Sequence, residues 1–402
     1  MAVSGARPAP SVSADARNSA PRLRGLIVSS FVLPHNGGVE QFVDVAARLL
    51  RGERWHVRVL ACRPRTGEAQ ADVTVPTRFL GPAGWPLPVG GWRLLWREVG
   101  AADVVIANGA RHLLPSVAAF AARLRGKRVL FVLHGSGAPF STSSFFYHRV
   151  LGRLFERLVA RPALRVSQPV SLSRAGVRGS RSRYGVAATY VPFPLRELPP
   201  ARRSRLEPDE PLRIVWVGRL YGEKNPLAAV EVVERVRLRR DARLDVYGSG
   251  PLLEALEELA QDRPWLAVQG PRSWEEIQEV QGTAHLCLST SLRDATQIAV
   301  LEPLARGVPV VSTRVGDAAG YYARGLRGFC VEPRDSEGAV EAIIALADSY
   351  DRYRERFAAN SHELVRRHRD GARLLAAVLE SDGSTTRDGA SDGRSRAELR
   401  VT

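Results

Sequence analysis

The sequence predicts an α/β fold of two domains, each a parallel sheet covered by helices on both faces. Two observations carry this. Short apolar or β-branched runs alternate with stretches of helical periodicity along almost the whole chain, the pattern of consecutive βαβ units. Near the middle, the alternation stops at Val191-Pro-Phe-Pro-Leu-Arg-Glu-Leu-Pro-Pro and the charged stretch from Arg202 to Glu210, a composition suited to a linker. At 402 residues and 45% hydrophobic, the chain can bury two substantial cores. The expected divisions are a disordered head over 1–20, a first domain over 21–195, a linker over 196–210, a second domain over 211–380 and a disordered tail over 381–402.

In the first half, Leu23–Ser30 reads as a strand, and Pro34-His-Asn-Gly-Gly-Val-Glu opens a helix to about Leu50. A Gly pair at such a turn lets backbone approach a phosphate, although a tight connection needs the same residues. Further strands are expected at Trp55–Ala61, Ala102–Asn108 and Val129–Leu133, the last ending in His134. A histidine at a strand's carboxyl end either faces the cleft or packs in the core. Over Phe145–Arg161, Arg149, Arg153, Arg157 and Arg161 recur every four residues, with Phe146, Val150, Leu151, Leu154, Phe155 and Leu158 filling the opposite side. This basic amphipathic helix is either an ordinary helix packed on a sheet or an attachment to an anionic membrane face.

In the second half, Arg213–Val217 is a strand ending in Gly-Arg-Leu-Tyr-Gly-Glu-Lys-Asn-Pro (218–226). Arg219 and Lys224 thereby stand at a carboxyl strand end, as diphosphate ligands or as solvated loop cations. Arg243–Tyr247 turns through Gly248-Ser-Gly-Pro into a helix, and Leu266–Gln269 precedes a helix over Trp274–Gln281. His285–Ser312 then reads as strand, polar loop, short helix from near Asp294, a stop at Gly307 and a strand at Val308–Val311. In such a unit, ligands sit where helix N-termini offer free N–H groups, so the Asp294–Ile298 turn is the expected anion position. A last strand at Gly328–Val331 leads to a long, interrupted helical end over Ser336–Leu379.

Composition narrows the setting. Cys62, Cys287 and Cys330 are far apart, which points to buried free thiols and a reducing cytoplasm rather than disulfides or a metal site. No run has the roughly 18 apolar residues of a membrane-spanning helix, and Met1–Ala20 lacks a signal peptide's apolar core. Of the net charge of +16, the excess lies in residues 21–195, with 25 Lys and Arg against 8 Asp and Glu. That field draws anionic lipid, nucleic acid or an acidic substrate alike. No aromatic-interleaved platform or reader motif favours nucleic acid.

Taken in order, Gly37-Gly-Val-Glu40, His134, Val-Gly-Arg-Leu with Lys224-Asn225, Tyr-Gly-Ser-Gly-Pro (247–251), the Asp294-to-Glu302 spacing with Leu-Ala-Arg-Gly-Val-Pro-Val-Val (304–311) and Val-Glu-Pro-Arg-Asp (331–335) resemble the retaining, GT-B-fold glycosyltransferases of family 4, over most of residues 22–375. The resemblance implies two Rossmann-like doubly wound domains facing across a cleft, with a nucleotide-diphospho-sugar donor on the second domain and a glycan, glycolipid or secondary-metabolite acceptor on the first. It implies catalytic roles for Arg219, Lys224, His134 and Asp294. Arg219 and Lys224 would neutralise the diphosphate leaving group, His134 would lie near the donor sugar, and Glu302 would bond the ribose hydroxyls. Gly37, Gly38, Gly248, Thr296, Gln297 and Ile298 would complete the donor site through backbone contacts. No cofactor is implied beyond the co-substrate. The lack of an Asp-x-Asp motif fits a metal-independent enzyme, whether free in the cytoplasm or held at the inner face of the membrane.

One departure stands out. The family usually carries two glutamates eight positions apart, with Gly-Phe-Gly after the first. Here Asp294 replaces that glutamate and Ala-Thr-Gln follows. Asp294 with Gln297 would serve either a donor-sugar contact or a reciprocal helix cap. A sugar-nucleotide epimerase or hydrolase on the same fold, and a non-catalytic nucleotide or acidic-polymer binder, remain as alternatives.

Overall fold

A computed structural model describes residues 23–33, 37–52, 55–65, 67–80, 85–135, 146–201 and 205–380. The head and tail expected to be disordered lie outside those residues. The first domain holds β1 (Leu23–Ser29), β2 (Trp55–Cys62), β3 (Val73–Val75), β4 (Thr77–Leu80), β5 (Trp85–Pro88), β6 (Val104–Asn108), β7 (Arg128–Leu133), β8 (Gln168–Ser171) and β9 (Thr189–Tyr190). Seven of these form one parallel sheet in the order β3-β2-β1-β6-β7-β8-β9, and β4 and β5 pair as a separate antiparallel ribbon. β3, β4, β5, β8 and β9 were not expected, because runs of two to four residues, several of them broken by Pro76, Pro86, Pro88 and Pro169, carry no readable period.

The second domain holds β10 (Leu212–Val217), β11 (Ala242–Tyr247), β12 (Leu266–Gly270), β13 (Leu286–Ser289), β14 (Val310–Thr313) and β15 (Cys330–Val331), parallel throughout in the order β12-β11-β10-β13-β14-β15. This is the doubly wound arrangement. Its strand order reverses between β10 and β13, and in the first domain between β1 and β6, leaving a crevice at the carboxyl ends of each pair. Both sheet faces are covered: Leu26 and Val28 of β1 enter one apolar cluster while Ile27 enters another. Cys62, Cys287 and Cys330 are buried free thiols.

The linker changes sides within three residues. Val191 and Phe193 belong to the first core, and Leu195 packs on the second. The final helix, Tyr350–Glu380, does not stay with the domain that precedes it. Leu375 and Leu379 are buried in the first domain's core, the Arg128 guanidinium donates to the Val378 and Leu379 carbonyls, and the His368 ring donates to the Phe193 carbonyl at 2.7 Å. The last turns expected in the second domain therefore strap the two domains together. Asp317 adds a second tie, accepting the Arg174 and Ala175 amides at 2.8 and 3.1 Å at the start of a first-domain helix.

The basic stretch differs from its expectation. It is an α-helix over Phe146–Phe155, one π turn over Glu156–Ala160 and a short α-helix over Arg161–Arg165. Of its apolar side, Phe155 packs edge-on against Trp85, while four residues stand out: exposure runs from 49% at Val150 to 61% at Leu158, with Leu151 and Leu154 between. Arg153, Arg157 and Arg161 are exposed beside that row, and the Arg149 side chain lies outside the described residues. Among the described residues, no helix is long and apolar enough to cross a membrane.

Candidate active site

The second-domain half of the site is two loops zipped together at the β10/β13 crevice. After β10, the chain turns at Tyr221, whose carbonyl accepts the Lys224 and Asn225 amides at 2.9 and 3.1 Å. Asn225 takes a left-handed φ of 53° before Pro226 starts the next helix. The loop after β13 is pinned to this turn by the Leu292 amide donating to the Glu223 carbonyl at 2.8 Å and Thr290 Oγ1 donating to the Asn225 carbonyl at 2.7 Å. Asp294 is thereby delivered to Lys224, and the two form a largely buried ion pair. Arg219, more exposed, pairs with Glu223 at 3.0 Å. Both expected phosphate cations thus hold carboxylates of their own domain.

Gly248 and Gly250 act from behind. Their φ values of 146° and 154° belong to glycine, and a Cβ at either would strike the Gly218 or Leu220 carbonyl. Gly248, expected at the donor, therefore supports the Arg219 loop by close backbone packing.

The helix expected near Asp294 begins later, at Ile298, and runs to Ala305. This overturns the capping reading of Asp294 and Gln297. Asp294 Oδ1 accepts the adjacent Ala295 amide at 2.8 Å, and the N-cap is Gln297 itself, without a side-chain cap bond. Gln297 has φ 45°, a left-handed value that explains why glycine suits this position. Its buried amide instead ties strand ends together: Nε2 donates to the Thr313 and Val315 carbonyls, each at 3.0 Å, and Oε1 accepts the Ser289 hydroxyl at 3.0 Å. The Thr296 carbonyl accepts the Tyr321 hydroxyl at 2.6 Å. The helix start leaves the first N–H groups, those of Ile298 and Ala299, without intrahelical acceptors.

Across the cleft, the Gly37–Gly38 turn meets that helix start. A Cβ on Gly38 would come within 3.0 Å of Ile298 Cδ1, so the first domain's glycine turn and the expected anion position of the second domain are in contact. Behind it, Glu40 folds back so closely that a Cβ on Gly37 would lie 2.6 Å from its carboxyl oxygen. Burial pushes Glu40 up to about 7, against its own backbone amide and the Arg219 charge. Glu40 carried no expected role; its place in the third position of the helix Gly38–Gly52 was the available signal.

His134 lies beside this turn. Its Nε2 is 2.6 Å from Asn108 Oδ1, and its ring meets Phe42 edge-on. Asn108 Nδ2 donates to Ser29 Oγ at 3.1 Å and to the Val39 carbonyl at 3.4 Å, so Oδ1 is the acceptor and His134 carries its proton on Nε2. Nδ1 is then the basic nitrogen. Burial pushes His134 down to about 3, with His112 adding to it, so the ring is neutral at ordinary pH. Asn108, fully buried at the end of β6, was missed because an asparagine closing an apolar run reads as a turn residue.

Glu302 is buried, with Oε1 accepting the Trp274 indole N–H at 3.0 Å and Oε2 accepting Gln278 Nε2 at 2.8 Å. Burial raises its pKa, offset by those two donors and by the Arg196 and Arg306 charges.

Comparison with known proteins gives the family and the fold. A model described as Glycosyltransferase Family 4 matches residues 36–192, and one described as Glycosyl transferases group 1 matches residues 211–349. The chain belongs to the family 4, group 1 glycosyltransferases. Across 81% of its length, this glycosyltransferase is 28% identical to a phosphatidylinositol N-acetylglucosaminyltransferase subunit of Arabidopsis thaliana, covering 75% of that protein. Its fold is that of the sucrose-phosphate synthase from Thermosynechococcus elongatus, with a TM-score of 0.67 at 16% identity over 89% of this chain and 98% of that one. The Anabaena protein HepE in complex with UDP-glucose superposes with a TM-score of 0.65 at 14% identity, over 89% and 99% of the two chains. The fold is therefore GT-B.

Proposed function

We propose that this glycosyltransferase is a retaining, metal-independent enzyme that moves a sugar from a nucleotide-diphospho-sugar to a glycan, glycolipid or secondary-metabolite acceptor. The contact of Gly38 with Ile298 carries the donor reading, because it sets a glycine turn of one domain against a helix N-terminus of the other, with Lys224 and Arg219 on the adjoining loop. Diphosphate would displace Asp294 from Lys224 and Glu223 from Arg219, and the helix N–H groups would add partial positive charge. Two cations and a helix start can supply the charge neutralisation that a divalent ion supplies elsewhere. Neutral His134 would accept from a sugar hydroxyl through Nδ1, and Glu302 would bond the ribose hydroxyls. Retention would proceed with the leaving phosphate oxygen taking the acceptor proton, without a protein nucleophile. Transfer assayed with UDP-, GDP- and ADP-sugars in the presence of a chelator, with the product anomer read by NMR, tests this; chelator-sensitive or inverting transfer contradicts it.

A membrane-side acceptor is favoured by one observation. Val150, Leu151, Leu154 and Leu158 form an exposed apolar row beside exposed Arg153, Arg157 and Arg161, the combination that lies in an anionic bilayer interface.

A further inference from the structure

The segment that joins the two domains is bound to the groups that hold Glu302. Arg196, in the first residues of the linker, forms a largely buried ion pair with Asp44, which lies on the first-domain helix Gly38–Gly52. The face of the same guanidinium lies over the Trp274 ring, 4.8 Å from its centroid. Trp274 in turn donates its indole N–H to Glu302 Oε1 at 3.0 Å. On the other side, the Pro200 carbonyl accepts from Arg306 Nη2 at 3.3 Å, Arg306 Nη1 donates to Gln278 Oε1 at 3.1 Å, and Gln278 Nε2 donates to Glu302 Oε2 at 2.8 Å. Arg306 thus sets which end of the Gln278 amide faces Glu302. Each carboxylate oxygen is held by a donor that the linker touches, directly or through one side chain.

Arginine suits this place: its planar fork can hold a carboxylate at the edge while its face stacks on an aromatic ring, and a lysine ammonium cannot do both. Asp44 sits on the helix that Gly37 precedes and Gly38 begins, so a shift of that helix relative to the second domain acts on Arg196 at one end and on Trp274 at the other. We propose that Arg196 is a positioning residue, which makes the placement of Glu302 for the donor ribose depend on how the two domains stand across the cleft. This rests on the donor-site reading given above, with Glu302 as the ribose carboxylate.

The test uses the full chain and whichever of UDP, GDP and ADP the wild-type protein binds most tightly, compared with the 2′,3′-dideoxy form of the same nucleotide and measured by calorimetry. Wild-type protein should prefer the ribose form, and Glu302→Gln should abolish that preference. Arg196→Met should lose about tenfold in affinity for the ribose form, the size of a coupling between neighbouring groups, and nothing for the dideoxy form. Asp44→Asn should show a smaller loss of the same selectivity, and Arg196→Lys a loss between the two. Equal losses for both nucleotides in Arg196→Met, or wild-type preference retained, overturn the proposal while leaving Glu302 in place. A wild-type protein that binds both forms equally, or none of the three nucleotides, overturns the Glu302 reading and the proposal with it.

Discussion

Lys224 and Asp294, 70 residues apart in the chain, form an ion pair where the loops after β10 and β13 meet. The pair places a carboxylate on the cation proposed to hold the diphosphate. Lys224→Ala should lower turnover about a hundredfold, as for other lost charge-stabilising groups. Asp294→Asn should tighten UDP or GDP binding severalfold, by freeing Lys224, while slowing transfer; steady-state kinetics with product-inhibition constants separates the two effects.

Gln297 holds a left-handed backbone with three side-chain hydrogen bonds. Gln297→Ala keeps the unfavourable φ and loses the bonds, whereas Gln297→Gly loses the bonds and relieves the backbone. Both should destabilise, and alanine should be worse than glycine by about 1 kcal/mol. Denaturant unfolding of the pair checks the order.

Burial pushes the Glu40 carboxyl up to about 7 in the folded protein, against an ordinary carboxyl value of about 4.3. A raised folded value means that its contribution to stability is present below the unfolded value and is lost as pH rises through about 7. Glu40→Gln should therefore raise the melting temperature relative to wild type at pH 8 and do little at pH 4.5. His134, pushed down to about 3, acts in the opposite sense, its stability being present above about 6.5 and lost as pH falls. Melting curves across pH for Glu40→Gln and His134→Asn separate the two.

The exposed row on the basic helix gives a lipid prediction. Replacing Leu154 and Leu158 by Glu should abolish sedimentation with vesicles containing phosphatidylserine and leave the melting temperature within about 1 °C, because exposed positions contribute little to folding. Wild-type protein that ignores anionic vesicles contradicts the membrane reading.

Much of this was legible in the sequence. The two parallel sheets followed from alternating apolar runs and helical stretches, and Arg219, Lys224 and the Gly37–Gly38 turn were recognisable because strand ends and glycines mark positions in the chain. What was not legible depended on partners distant in sequence. Asp294 was left between a sugar contact and a helix cap, the cap because Gln297 follows three residues on, and only the pinning of Leu292 and Thr290 to the Glu223–Asn225 turn shows that it meets Lys224. The Leu row of the basic helix was left between a packed face and a membrane-facing one, since periodicity reports that a helix has two sides and not which side is covered. Arg196 read as linker charge, because its three-way contact with Asp44 and Trp274 exists only in the assembled molecule.

The proposed donor site holds a nucleotide diphosphate between the Gly37–Gly38 turn and the helix at Ile298, with Arg219 and Lys224 as its cations. The most direct measurement is thermal stabilisation by a panel of sugar nucleotides, for wild type and for the Arg219→Ala, Lys224→Ala double variant. At about 100 times its dissociation constant, a bound donor should contribute about 2.7 kcal/mol to the wild-type protein, and the double variant should show no response at the same concentration. A wild-type protein unmoved by every donor, or a double variant stabilised as strongly as wild type, contradicts the assignment.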